Sequence, residues 1–158
     1  LEMHQGFCVH NTRTLLRLRE AVGPEIGANF DPSHLIWQGM DPLKVIRALG
    51  GEAIFHVHAK DAIIDNINSP VNGNLDTLSY ADMSKRSWIF RSIGYGHDEL
   101  FWKEFCSQLR LVGYDYVLSI EHEDAMLSTN EGLVKACDVL KRAIPFEDTA
   151  DMSKLHWV

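Results

Sequence analysis

Ala-Ile-Phe-His-Val-His-Ala-Lys-Asp, residues 53–61, is the stretch that most strongly indicates how this chain folds. Residues 53–59 form a short apolar run with histidines at alternate positions, a pattern that predicts a β-strand. Because side chains alternate between the two faces of a strand, His56 and His58 share one face. The strand therefore carries imidazole groups towards its carboxyl end.

On either side of this strand, short apolar runs alternate with helical patterns. Asn11 is a plausible helix cap, and Asp41-Pro42 combines a capping Asp with a Pro at the first helical position. The predicted order is a strand end at the start of the chain, helix 12–22, strand 26–30, helix 42–49, strand 53–59, an irregular stretch of about 62–95, helix 98–111, strand 116–120 and helix 129–143. Repeated βα units of this kind build parallel sheets, either doubly wound or closed into a barrel.

An acidic or imidazole side chain ends each predicted strand: Glu2, Asp31, His58 and Glu121. Chemistry in both architectures lies at the carboxyl ends of the strands, so these groups are expected at one rim. Three crowded carboxylates need a cation, and one nitrogen with three oxygen donors suits Mn²⁺, Mg²⁺ or Co²⁺ better than an all-thiolate zinc site does. Taken alone, an Asp at the end of a strand is more often a helix cap than a metal ligand. A His in a strand is likewise more often a core residue than a ligand. The set at one rim favours a metal site.

Five strings carry a family resemblance: Glu-Met-His-Gln-Gly (2–6), Asn-Phe-Asp-Pro-Ser-His (29–34), His-Val-His-Ala-Lys-Asp (56–61), Gly-Tyr-Gly (94–96) and Ser-Ile-Glu-His-Glu-Asp (119–124). Together and in this order they resemble the xylose-isomerase-like barrel superfamily. The resemblance implies an α/β fold, a (β/α)₈ TIM barrel, here its last four βα units. Residues 1–143 would then be the C-terminal half of the barrel, with four strands and their helices preceding Leu1, and 144–158 a C-terminal tail.

The resemblance also implies an activity. Glu2, Asp31, His58 and Glu121 would bind a divalent metal, with Mn²⁺ the first choice and Mg²⁺, Co²⁺ or Zn²⁺ the alternatives. The enzyme would isomerise or epimerise a sugar or sugar phosphate by removing a proton next to a carbonyl, through an enediolate. Glu2 and Glu121 would be the catalytic residues that move the proton.

Substrate contacts are predicted for four further residues: His34, Lys60, Arg91 and His4. A Lys at a strand end also often faces water, so a solvated Lys60 is the alternative. The span between His58 and Glu121 is long for the family, and its irregular stretch is either a lid or oligomer contact or a passive insertion.

Three other functions compete with the isomerase. An inosose-dehydratase-type metal lyase would share the ligands and the first proton abstraction. A phosphodiester hydrolase resembling the apurinic endonucleases would need an Asp-x-His pair in the 62–95 segment, and the sequence has none there. An inactive half-barrel fragment is the third alternative.

The composition of the chain limits the classes of molecule that it is expected to bind. The formal net charge is -7, from 15 Lys and Arg against 22 Asp and Glu, which disfavours nucleic acid, and a small-molecule sugar is expected instead. No apolar run reaches the ~18 residues that span a bilayer, so no membrane partner is expected. Three widely spaced cysteines and the lack of a secretory signal favour the cytoplasm.

The four strands of a half-barrel raise a problem of assembly. They leave two open sheet edges and apolar inner side chains, expected to include Ile54, Val57 and members of 116–120, that would face water. The sequence therefore predicts either a complementary N-terminal half outside this chain or a homo-oligomer.

Overall fold

The structure, a computed structural model, describes residues 1–148. Its helices are α1 (Thr12–Val22), α2 (Pro32–Trp37), α3 (Pro42–Leu49), α4 (Ser69–Asn72), α5 (Glu99–Leu111) and α6 (Thr129–Ala143), with 3₁₀ turns at Gly51–Ala53 and Tyr80–Lys85. Its strands are β1 (Ala28–Phe30), β2 (Ile54–Ala59), β3 (Asp61–Ile64), β4 (Trp88–Arg91) and β5 (Leu118–Ile120). The predicted order of βα units is confirmed, with strand bounds one or two residues shorter at their amino ends.

The long helices begin where the sequence supplies a cap. The Asn11 carboxamide oxygen accepts from the Thr14 backbone N–H, and Asp41 accepts from the N–H of Leu43, with Pro42 at the first helical position. A missing helix-end hydrogen bond is satisfied in each case, which typically stabilises a helix by about 1 kcal/mol. Asp31-Pro32 repeats the Asp-Pro signal and begins α2, a six-residue helix that the sequence does not predict because it is too short to show a period.

The main sheet is parallel, in the order β1-β2-β5. Asn29 pairs with His56, and His58 pairs with Ser119. Glu2 forms an isolated parallel bridge to Asn29, so the start of the chain lies beside β1 as a fourth strand position. All four carboxyl ends point to one rim, which is the geometry expected for part of a barrel.

The two faces of β2 have opposite characters. Val57 and Ala59 are fully buried in a core that includes Leu15 of α1, Ile46 of α3 and Trp102 of α5. The prediction that Val57 is an inner, water-facing residue is therefore wrong: alternation turns it towards the helices, and Ile54 is buried as well. His56 and His58 occupy the other face.

The predicted irregular stretch of 62–95 contains regular structure. β3 and β4 pair antiparallel, with Asp61 opposite Arg91 and Ile64 opposite Trp88, and α2 packs against β3. Four-residue strands in a segment rich in Asn, Ser and Asp give a weak sequence signal, and tertiary packing holds them in place. We call residues 61–91 the inserted hairpin.

Most of the predicted tail, residues 149–158, lies outside the described residues. Within residues 1–148, none of the helices has the length and apolar character needed to cross a membrane.

Candidate metal centre

Glu2, Asp31, His58 and Glu121 come together at the rim, and we call these four residues the candidate metal centre. One donor atom from each lies within 4.8 Å of every other. The His58 Nδ1 atom is 2.7 Å from Glu121 Oε2, 3.3 Å from Glu2 Oε1 and 4.0 Å from Asp31 Oδ2. Ligands on opposite sides of a Mg²⁺-sized or Mn²⁺-sized ion are roughly 4–4.5 Å apart, so the four donors span about the space of one ion.

The local backbone structure directs three of these side chains towards the rim. Asp31 caps α2, and its Oδ1 accepts from the backbone N–H and the hydroxyl of Ser33 at 2.8 and 2.7 Å, which leaves Oδ2 directed at the rim. His58 lies on the polar face of β2. Glu121 directly follows β5, and its backbone N–H donates to the Ala59 carbonyl at 3.3 Å, which extends the pairing of β5 with β2 by one residue.

Two of the donor oxygens are buried without a hydrogen bond: Asp31 Oδ2 and Glu121 Oε2. The contact of Glu121 Oε2 with His58 Nδ1 is short, but it is not oriented as a hydrogen bond. The Lys60 ammonium lies 3.3 Å from each of these two oxygens without forming a hydrogen bond. A buried carboxylate oxygen without a hydrogen bond is costly, and a divalent cation would balance both oxygens more fully. The residues therefore fit a divalent metal ion held by one nitrogen and three carboxylate oxygens.

The carboxylates shift one another's protonation. Burial raises the pKa of Glu2, and the negative charge of Asp31 raises it further. A positive charge placed among these groups would oppose both effects.

Lys60 belongs to the same cluster. Its side chain is 2% exposed, and Nζ lies 3.3 Å from Asp31 Oδ2, 3.3 Å from Glu121 Oε2 and 2.6 Å from Glu123 Oε2. Burial lowers the pKa of Lys60, but the carboxylates of Asp31, Glu123 and Glu121 outweigh it, and the net pKa is raised. The alternative of a solvated surface Lys is wrong, because the amine is a buried cation.

Glu123 and Phe90 complete the surroundings, and the sequence predicts neither of them. Strand alternation could have found Glu123, since it follows Glu121 by two residues. Phe90 comes from β4, and its ring centroid lies 4.3 Å from Lys60 Nζ. The sequence does not single out Phe90 because the residues of the inserted hairpin show no clear period.

His34 lies directly behind the carboxylates. Its Nε2 is 3.3 Å from Asp31 Oδ2 and 4.0 Å from Glu2 Oε2, while Trp37 Nε1–H donates to Nδ1 at 3.4 Å. Burial and the nearby Lys60 charge lower the pKa of His34 to about 3, so the ring is neutral near pH 7. An accepting Nδ1 implies that Nε2 carries the proton and faces the carboxylates.

The two remaining predicted substrate residues lie farther out. The His4 ring stacks edgewise on His34, with centroids 4.4 Å apart, and its Nδ1 is 2.6 Å from the Gln5 carbonyl. Arg91 Nε donates to Asp124 Oδ2 at 3.0 Å, so its ion pair is with Asp124 and not with the candidate metal centre.

Comparisons with known proteins agree with this architecture. A family model described as a xylose isomerase-like TIM barrel matches residues 1–143. The uncharacterized protein YfiH of Bacillus subtilis (strain 168) is 44% identical over 144 residues, which are 91% of this chain and 46% of that protein.

A solved structure shares the fold. The crystal structure of a xylose isomerase domain protein from Planctomyces limnophilus matches with a TM-score of 0.66 and 24% identity, over 90% of this chain and 45% of that one. The chain thus spans about half the length of these relatives. Four parallel βα units, a shared rim of acidic and imidazole groups, and a family match over residues 1–143 lead to one conclusion: the chain belongs to the xylose isomerase-like TIM barrel family.

Proposed function

We propose that this chain forms part of a divalent-metal-dependent isomerase or epimerase of sugars or sugar phosphates. The observation that carries the proposal is the convergence of Glu2, Asp31, His58 and Glu121, with two buried oxygens that lack hydrogen-bond donors. Acidic groups alone are common on surfaces. A buried Asp31 Oδ2 that makes no hydrogen bond, points to the other three donors and is balanced only in part by Lys60 supports a cation site more strongly.

A cation bound there would supply a Lewis acid for the carbonyl and hydroxyl oxygens of a sugar. The protein's own contribution is proton transfer. Glu2 lies at one edge of the four strand positions and Glu121 at the other, so the two carboxylates flank the rim from opposite sides. Their side chains are 30% and 35% exposed, whereas Asp31 is fully buried. Glu2 and Glu121 are thus the carboxylates that a substrate can reach, one on each side, as proton removal and return require.

Two neighbouring groups can orient a substrate. The neutral His34 presents Nε2–H towards the carboxylates and can donate to a sugar oxygen. Lys60 holds a positive charge beside Glu121 and can donate to an oxygen that becomes more negative as the proton leaves.

Lys60 also favours a second candidate, an inosose-dehydratase-type lyase. That reaction begins with the same proton abstraction but then expels a hydroxyl group, which must be protonated as it leaves. The Lys60 ammonium, 3.3 Å from Glu121, could donate a hydrogen bond to the departing hydroxyl group while the carboxyl group that has taken up the proton returns it to that oxygen. Loss of water from the substrate, followed by mass spectrometry, separates a lyase from an isomerase.

The test couples metal analysis to proton exchange. The protein is loaded with Mn²⁺, Mg²⁺, Co²⁺ or Zn²⁺ in turn and incubated with ketoses and their phosphate esters in D₂O. We expect deuterium next to the carbonyl and a new isomer or epimer, both abolished by a chelator. Exchange that persists without metal, or metal binding with no exchange of any ketose, would contradict the proposal.

We further propose that other strands complete the four-stranded arrangement, from the rest of a longer protein or from a second copy. β5 is an edge of the main sheet, and beside it Tyr116 and Val117 are 72% and 44% exposed. Open edges with apolar neighbours favour pairing with another chain. In sedimentation, this chain alone should either self-associate or fail to fold stably, and a well-folded 17.9 kDa monomer at micromolar concentration would contradict both alternatives.

A further inference from the structure

The face of the sheet that carries His58 is polar below the rim as well. Residues that pair in register across parallel strands share a face, and here Asn29 lies opposite His56 while His58 lies opposite Ser119. The inner positions of a TIM barrel are usually filled by bulky, branched apolar side chains. Packing alone would therefore favour an apolar residue at position 29, and the carboxamide has to be explained by the groups that it contacts.

The Asn29 carboxamide reaches two of the candidate ligands. Its Nδ2 atom is 3.3 Å from Nε2 of His58, 3.5 Å from Nδ1 of the same ring and 3.5 Å from Oε1 of Glu2. Its Oδ1 atom is buried and makes no hydrogen bond. A buried acceptor without a donor is costly. Since water does not reach this oxygen, strands that complete the arrangement would not reach it in this position either.

The two ring nitrogens of His58 have different neighbours. Nδ1 lies 2.7 to 4.0 Å from oxygens of the three carboxylate ligands, so it is the nitrogen that can hold a metal ion. A neutral imidazole that uses Nδ1 as a ligand carries its proton on Nε2. A metal-bound histidine almost always donates this second N–H to a carboxylate, a carbonyl or a water, which fixes the orientation of the ring. The Asn29 carboxamide lies beside Nε2.

We infer that Asn29 is a positioning residue of the candidate metal centre, whose Oδ1 accepts the Nε2–H of His58 when Nδ1 binds the metal. A carboxamide has nearly the same shape at both ends, so a half-turn about its last bond brings the oxygen that lacks a donor to the place of Nδ2, beside Nε2. The same turn moves Nδ2 away from Glu2, whose carboxylate would then be a ligand of the ion. The inference rests on the metal dependence of the proposed function and adds the residue that orients the histidine ligand.

Two variants separate an acceptor at position 29 from bulk alone. Asn29→Leu has a similar size and no oxygen, whereas Asn29→Asp keeps an oxygen that can accept the Nε2–H. In calorimetric titration of the assembled protein with Mn²⁺, we expect the affinity of Asn29→Leu to be about 10- to 100-fold lower than that of the wild type. Asn29→Asp should bind at least as tightly as the wild type. Ser119→Ala is the control, since it removes a polar group from the same face beside His58, and it should leave the affinity unchanged.

A second measurement observes the hydrogen bond itself. The protein is labelled with ¹⁵N-histidine and loaded with Zn²⁺, which is diamagnetic. The Nε2–H signal of His58 should be protected from exchange with water in the wild type and in Asn29→Asp, and exposed to exchange in Asn29→Leu. A residue that only fills space would leave this signal unchanged.

The outcomes separate this inference from the proposed function. Wild-type Mn²⁺ affinity and a protected Nε2–H in a folded Asn29→Leu protein would overturn the role of Asn29 and leave the metal site standing. If Asn29→Leu does not fold, as circular dichroism would show, Asn29→Asp decides, and loss of the protected signal in that variant would contradict the inference. A wild-type protein that binds none of the divalent metals would refute both proposals.

Discussion

Asp31 and Asp61 are two buried aspartates in neighbouring regions of the molecule, and they have opposite environments. All four hydrogen bonds to Asp61 come from nearby donors: the N–H of Ala62, the N–H and Nδ1 of His97, and Nε1 of Trp102, at 2.7 to 3.3 Å. Asp31 satisfies one oxygen within its own helix cap and leaves the other without a hydrogen bond.

The difference separates a structural carboxylate from a ligand carboxylate. Asp61 has both oxygens neutralised by the protein, so it anchors the segment that returns from the inserted hairpin to α5. Asp31 Oδ2 faces three more donor atoms and is balanced only in part by Lys60. A carboxylate of the second kind is stabilised when a cation arrives. Four substitutions and conditions test this contrast.

Asp31→Asn should have the largest effect, on metal affinity. The carboxamide oxygen can still cap α2, so the fold should survive, but the negative ligand is lost. We expect Mn²⁺ affinity to fall by more than about 10²-fold, beyond the range for residues that only orient a ligand. Calorimetric titration with Mn²⁺ measures it. Asp41→Asn is a matched control, another Asp-Pro helix cap that lies on α3, and it should bind Mn²⁺ like the wild type.

Glu121→Gln should weaken Mn²⁺ binding, because it removes a ligand carboxylate, and it should also slow catalysis when the protein is saturated with Mn²⁺. It keeps the shape of the side chain and removes a proton acceptor, so turnover should drop by at least about 10²-fold. Solvent deuterium exchange into the substrate measures the step directly. Glu104→Gln, on the exposed side of α5, serves as the control and should leave turnover unchanged. Undiminished exchange by Glu121→Gln would assign the base to another residue.

Asp61→Asn should lower stability instead of metal affinity. Its new amide group would face N–H donors of His97 and Trp102, which leaves buried donors unsatisfied. The free energy of unfolding should fall by about 2 kcal/mol. Urea titration measures it, and Asp98→Asn, which can keep the cap on α5, should change little. If Asp61→Asn abolished Mn²⁺ binding while stability was retained, the contrast between the two aspartates would be mistaken.

The smallest expected effect is a pH dependence at the Asp61 contact. The hydrogen bond from His97 to Asp61 raises the pKa of His97 above its usual 6.5. The folded state therefore binds this proton more tightly than the unfolded state does. The resulting stabilisation is complete below pH 6.5 and is lost as pH rises through the folded pKa.

Since His97 is partly exposed, the loss should stay below about 1 kcal/mol. Urea unfolding of wild type and His97→Gln at pH 6 and pH 9 tests it. The difference in stability between the two proteins should be larger at pH 6 than at pH 9. An equal difference in unfolding free energy at the two pH values would show that the charge of His97 does not contribute to stability.

Much of the fold followed from local signals. Asn11, Asp41 and Asp98 each begin a helix where the sequence predicts one, because a cap acts through atoms two or three residues away. The geometry of the candidate metal centre also followed from strand order, since parallel strands bring their carboxyl ends to one rim. The metal itself stays a prediction.

Other features depended on contacts between distant residues. The inserted hairpin was missed because β3 and β4 are short and stabilise each other across more than twenty intervening residues. Arg91 pairs with Asp124, 33 positions along the chain, an ion pair that the sequence does not predict. Its contact with a substrate stays a prediction. In both cases the residues next to one member of the pair in the sequence give no sign of the other member.

The sequence by itself thus determined the βα order, the helix starts and the four residues at the rim. These depend on alternation, capping and strand direction, all of which are local or follow from the order of elements. Only the tertiary structure decided that Lys60 is a buried cation, that Glu123 holds it and that Phe90 borders the site. Charge and burial are set by every group within a few ångströms, and those groups come from segments that only folding brings together.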